Sequence, residues 1–120
     1  MTDTSHRASI SPADAPYTAR VSGVTIAQTA KAKVLQEVNG EKAYRPVIYF
    51  PLADIDPAVL TPSDHRSHCP IKGDAGYYTI KAGGERLENA AWYYPVPLPM
   101  VAAIEGHVAF YPDKVTVTRL

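Results

Sequence analysis

Apolar residues in this chain fall in short runs that alternate with polar ones or stop early at glycine, proline or asparagine. Val24 to Thr29 sets Val24 and Ile26 against Thr25 and Ala27, the period of a half-buried strand. Tyr17 to Ser22 predicts a strand before it. Lys33 to Val38 extends the same meander up to an Asn39-Gly40 turn. Val47 to Phe50 is continuously apolar and is closed by Pro51, which predicts a core strand. Asp56-Pro57 offers an N-cap with proline at the first helical position, for at most one turn through Leu60. Gly76 to Lys81, a Gly83-Gly84 turn and Glu85 to Tyr94 predict a β-hairpin. Pro95, Pro97 and Pro99 enforce an extended connection. Met100 to Ile104 predicts another helical turn, ended by Gly106, and His107 to Tyr111 with Val115 to Thr118 predicts a last hairpin around Pro112-Asp113. Residues 1–16 carry almost nothing to bury and read as a flexible N-terminal arm. The pattern predicts a single mainly β domain over residues 17–120, with one or two single-turn helices.

Composition narrows the function classes. A chain of 120 residues suits one hydrophobic core, and 46% apolar with 20% charged residues is ordinary for a soluble globular domain. Twelve basic side chains balance twelve acidic ones. That excludes the strongly basic footprint of a nucleic-acid binder, so no nucleic-acid partner is expected. No apolar run approaches the roughly 18 residues that would span a bilayer, so no membrane partner is expected either. The first sixteen residues lack the apolar core of a secretory signal, and a lone cysteine excludes an internal disulfide. Both features point to the cytoplasm. The pattern leaves the oligomeric state open.

Candidate chemistry concentrates between Asp64 and Asp74, which hold two of the four histidines and the only cysteine. Pro70 and Gly73 predict a shaped loop. A thiol attacks only as thiolate, and His65, Arg66, His68 and Lys72 are the cations close to Cys69. One reading is an activated Cys69 with His68 or His65 as its base. The other is a small buried hydrophobe at the base of a loop. His65, His68 and Cys69 suit zinc by type, with His107 or Glu88 to complete a site. However, His68 and Cys69 point apart in extended backbone, and neither a metal nor another cofactor is expected. Lys72 offers a point charge to a ligand anion, while Gly73 and Asp74 shape a turn in which Asp74 caps amides or faces the ligand.

The second candidate block is the return arm of the central hairpin. Strand alternation predicts Glu88, Ala90 and Trp92 on one face and Asn89, Ala91 and Tyr93 on the other. A carboxylate and an indole spaced by alanine would receive a flat ligand, with Glu88 as acid or base. Alternatively, Trp92 is core and Glu88 pairs with Arg86 or Lys81. The pairs Tyr77-Tyr78 and Tyr93-Tyr94 each send one ring to each face, which makes Tyr78 and Tyr94 candidate cleft walls. In the strand after Gly106, His107, Ala109 and Tyr111 share one face and Val108 and Phe110 the other.

These blocks carry a resemblance. Ser63-Asp64-His65, His68-Cys69-Pro70, Lys72-Gly73-Asp74, Tyr77-Tyr78, Glu88 to Pro95 and Gly106 to Pro112 resemble, in order, the bacterial and fungal family called domain of unknown function 427, also catalogued as a nucleotidyltransferase-type domain. The resemblance runs from about residue 18 to the C-terminus. It implies a β-tent-like fold, in which two small antiparallel sheets meet at an angle and enclose a cleft. Many β-tent proteins hold a zinc with two cysteine pairs, which the lone Cys69 cannot do. The chain also lacks a glycine-rich phosphate loop and paired magnesium carboxylates. The expected cleft is lined by His65, His68, Cys69, Lys72, Glu88 and Trp92. It either binds a small metabolite or modified base without turnover, or serves an enzyme with Cys69 as nucleophile or redox thiol. A weaker third reading makes the tyrosine-rich face a subunit interface.

Overall fold

A computed structural model describes residues 6–120, and the short runs become eleven strands there. They are β1 (His6–Pro12), β2 (Tyr17–Val21), β3 (Val24–Thr29), β4 (Lys33–Asn39), β5 (Lys42–Ala43), β6 (Val47–Pro51), β7 (Leu60–Cys69), β8 (Gly73–Ala82), β9 (Glu85–Tyr93), β10 (His107–Phe110) and β11 (Thr116–Arg119). Turns of 3₁₀ helix form at Leu52–Asp54, Pro57–Val59 and Pro99–Ile104. The Asp56 carboxylate accepts from the Ala58 N–H at 3.0 Å, as its N-cap position predicts.

The strands form two antiparallel sheets. The larger runs β1-β4-β6-β10-β9-β8-β7, with β5 beside β4; the smaller runs β11-β2-β3. The central strands of the larger sheet are buried on both faces. Ile26, Ala27 and Val21 of the small sheet pack on Phe50, Ile80, Ala91, Val108 and Phe110 of the large one. The rings of Phe50 and Phe110 meet edge-on, 5.3 Å apart. On the opposite face, Val101 and Ile104 of the 3₁₀ segment cover Leu35, Tyr49, Tyr77 and Ala109. This two-sided burial explains why Val47 to Phe50 does not alternate in hydrophobicity. Ile48 and Phe50 serve one core while Val47 and Tyr49 serve the other. Each such side chain contributes roughly 1.5–3 kcal/mol of hydrophobic stabilisation.

The mainly β class and two-sheet layout agree with the sequence reading, but several pieces differ. The arm expected to be loose over residues 1–16 is strand from His6 to Pro12, in unbroken register with β4; residues 1–5 lie outside the described part. Backbone pairing and the burial of Ala8 secure it without an apolar run. Strand β4 does not continue the β2-β3 meander, but enters the other sheet between β1 and β6. Likewise β10 and β11 are no hairpin. Strand β10 lies between β6 and β9, whereas β11 crosses to pair with β2. The expected loop from Asp64 to Asp74 is mostly two paired strands, with the turn confined to Pro70–Lys72. Strand β7 is a sheet edge with most side chains in solvent, so no apolar alternation announces it. Gly73 closes that turn at φ +106°, where an added Cβ would stand 3.3 Å from the Val96 carbonyl oxygen.

Candidate functional site

The structure separates the candidates that the sequence groups together. His68 and Cys69 are consecutive on β7, and a pleated strand sends them to opposite faces. Cys69 turns inward and packs, partly buried, against the core that holds Tyr49 and Tyr94. His68 turns outward, and its Nδ1 lies 2.7 Å from Asp74 Oδ1 on the facing strand, both side chains being largely exposed. Two candidates thus meet as an imidazole–carboxylate pair, but the base and the thiol do not.

Lys72 is committed elsewhere. Its Nζ donates to Glu37 Oε1 at 2.6 Å, and His6 Nε2 lies 2.7 Å from the other oxygen of that carboxylate. Burial opposes ionisation of Glu37, but the hydrogen bonds from Lys72 and His6 outweigh it and hold the carboxyl below its ordinary range. This cluster ties β1, β4 and the β7–β8 turn together. Sequence reasoning missed Glu37, and an exposed-looking Gln36-Glu37 pair in a strand gives no local signal of it.

Two bulges disturb the edge. Asp64 and His65 are extra residues in β7, and β9 breaks register between Leu87 and Ala91. Asn89 adopts φ +52° at the second bulge, its N–H donates to Thr79 Oγ1 at 3.3 Å, and its side chain accepts from the Ser63 hydroxyl. The bulge corrects the predicted alternation. Glu88 is exposed and bonded to Arg86 at 2.9 Å, while Ala90 lies in the core between the sheets and Trp92 on the far side of the large sheet. The hydrogen bond and charge of Arg86 keep the Glu88 carboxyl below its usual range. His65 lies against the Tyr77 ring, 4.4 Å between centroids, and shares a shallow polar cavity of about 560 Å³ with Glu88 and Asp64.

The tyrosine pairs split as their alternation predicts. Tyr77 and Tyr94 enter one core, whereas Tyr78 and Tyr93 stack on the other face at 4.8 Å. Burial raises the pKa of both Tyr78 and Tyr94. Gly76 makes the stacking possible, since a Cβ there would stand 2.6 Å from the Tyr93 ring.

Trp92 occupies the best-built position. It lies between Ala109 of β10 and Tyr77 of β8. Its Nε1–H donates to the Tyr49 hydroxyl at 3.2 Å, the Tyr49 ring meets it edge-on, and Tyr111 lies 4.6 Å away. Burial, with the Tyr77 phenol nearby, pushes the Tyr111 phenol up to about 12. Tyr77 in turn shares a 2.7 Å hydrogen bond with Ser67. Trp92 and Val47, from the far side of the large sheet, also line a cavity of about 610 Å³ that passes the end of β10 and reaches the small sheet at the seam. Tyr17 and Val117 of the small sheet, Ile48 of β6 and Phe110 supply further apolar wall, and Arg45 is its one charged lining residue. Of the nine candidate side chains, Trp92 alone lines this space. Tyr17, Arg45 and Val117 come from distant segments and carry no motif.

Among the described residues, no group of three or more His, Cys, Asp or Glu side chains is placed to hold a metal ion, and no helix is long and apolar enough to cross a membrane. A family model described as domain of unknown function (DUF427) matches residues 9–119. No curated protein matches the chain. With nearly its whole length matched, the chain belongs to the DUF427 family.

Proposed function

We propose that this member of the DUF427 family is a small-molecule-binding domain that receives a flat ring in the seam cavity beside Trp92. The observation that carries the reading is the cavity itself. Two other cavities, each of about 560 Å³, are lined largely by charged and polar side chains, whereas the walls of this one, of about 610 Å³, are aromatic, aliphatic or proline apart from Arg45. Tyr49 and Tyr111 already hold the Trp92 ring, so little side-chain freedom is lost when a ligand stacks on it. Phe110 and Tyr17 provide further aromatic surface.

The alternative of a Cys69 enzyme draws less support. Cys69 faces the core with Tyr49 and Tyr94, His68 faces Asp74, and Glu88 pairs with Arg86 on the exposed side of a bulge. A nucleophile needs its base within hydrogen-bond reach, and the chain geometry directs these groups apart.

Trp92 is the only tryptophan, so its emission reports directly on the cavity. Titration with planar ring compounds is expected to change that emission saturably, and Val117→Phe, which fills the cavity from the small sheet, is expected to abolish the change. Equal binding by the filled variant would defeat the proposal.

A further inference from the structure

We infer that the ligand of the seam cavity carries an anionic group, received by Arg45. The inference rests on the ring-binding reading above and names the class of ligand: a planar ring bearing a carboxylate or a phosphate. Three observations carry it.

The first is that Arg45 is the one charged residue lining a cavity that is otherwise aromatic and aliphatic. The second is that this guanidinium is unspent. Arg66 donates to the Ser63 and His65 carbonyls, Arg86 to Glu88, and Arg119 pairs with Asp14, while Arg20 is unpaired among the described residues but does not line this cavity. Arg45 has no hydrogen-bond or ion-pair partner among the described residues. The third is its mounting. Pro46 follows it and restricts Arg45 to extended backbone. Just before it, the Tyr44 carbonyl accepts from Gln36 Nε2 at 2.8 Å, and the Tyr44 N–H donates to the Glu37 carbonyl at 2.9 Å. The side chain therefore starts from a fixed point at the cavity wall. A planar guanidinium offers paired N–H donors that match carboxylate and phosphate oxygens. With zero formal net charge, the protein as a whole does not gather anions, so any preference must be local.

The test uses the full chain and four probes, read by Trp92 emission: benzoate against benzamide, and adenosine 5′-monophosphate against adenosine. At least one anion is expected to bind about tenfold more tightly than its neutral partner, the difference between a charge-assisted and a neutral hydrogen bond. The pair that shows the preference identifies carboxylate or phosphate. Arg45→Gln, at an exposed position, is expected to remove the preference while the neutral probe binds as before, and added salt to reduce it. Equal binding of anion and neutral partner in both pairs would overturn the inference and leave the cavity reading intact. The same holds for a preference that survives Arg45→Gln. A flat emission with all four probes would remove both.

Discussion

Replacing Glu37 with alanine tests whether the buried polar cluster holds the edge of the large sheet. The carboxylate accepts from Lys72 at 2.6 Å and faces His6 at 2.7 Å, and the side chains of Glu37 and Lys72 keep only 16% and 13% of their surface. Glu37→Ala leaves the Lys72 ammonium without its partner in that setting. Breaking a fully buried pair from one side costs about 3–5 kcal/mol. This pair is only part-buried, which places the loss between the exposed and the buried cases, about 2 kcal/mol. For a domain of this length that loss lowers the melting midpoint by roughly 5–10 °C. Urea titration followed by Trp92 emission measures it, with an unchanged slope as the control for a common unfolded state. Lys72→Met in the Glu37→Ala background is expected to recover part of the loss, since no unpaired ammonium then remains.

The pH dependence supplies the sign. Hydrogen bonds from Lys72 and His6 hold the folded-state pKa of Glu37 below its unfolded value, despite the opposing effect of burial. Its contribution is therefore complete above the ordinary carboxyl value, 4.5, and is lost as pH falls through the depressed folded value. Wild-type and Glu37→Ala stabilities should differ by the full amount at pH 7 and converge across that acidic window. A loss below about 1 kcal/mol at pH 7 would refute the reasoning, since it is the value of an exposed pair. So would a gap that stays constant on acidification.

Two further outcomes follow from the same geometry. Gly76→Ala sets a Cβ 2.6 Å from the Tyr93 ring, and the displaced stack with Tyr78 should cost about 1–3 kcal/mol in urea; Tyr93→Leu in that background should relieve most of it, and equal costs in both backgrounds would show that the ring is not the obstacle. Cys69 should alkylate far more slowly in the folded chain than in denaturant, and Cys69→Ser should leave probe binding at Trp92 unchanged; a native rate matching the denatured one would mean that the thiol is not packed against the Tyr49 core.

What the sequence reveals about this fold is what local chemistry decides. Val24–Thr29 matches its predicted strand, Asp56 caps the turn it precedes, and Gly83 and Gly84 both take positive φ between β8 and β9. Partner choice is different, because it depends on residues far along the chain. Nothing within Lys33–Asn39 says that His6–Pro12 will pair with it, and nothing in Tyr111–Val115 says that the chain changes sheets there. The spatial grouping of the candidate residues was hidden for the same reason. Crowding of His65, His68, Cys69 and Lys72 in sequence becomes dispersal in space, because alternation separates His68 from Cys69 and the partner of Lys72 lies on β4. The predicted face of Glu88, Ala90 and Trp92 failed at a bulge, where a positive φ at Asn89 resets the alternation.

The position of the seam cavity then follows from topology rather than from any motif. Strand β10 is only four residues long and must leave the large sheet after Phe110 so that β11 can reach β2. Its last paired position with β6 is Ala109 against Tyr49, so Val47 and Ile48 extend past it, while on the other side Trp92 of β9 pairs with that same Ala109. A strand that leaves a sheet between two longer neighbours opens a gap at its exit. Here Pro112 lies at that exit, and Tyr17 and Val117 of the receiving sheet form the opposite wall. Closing the gap with backbone would require a longer β10, past the point where the chain crosses to the second sheet, so only side chains can fill it. A cavity at this place is therefore a consequence of the chain path. The side chains around it, Arg45 and Trp92 above all, decide what it can hold.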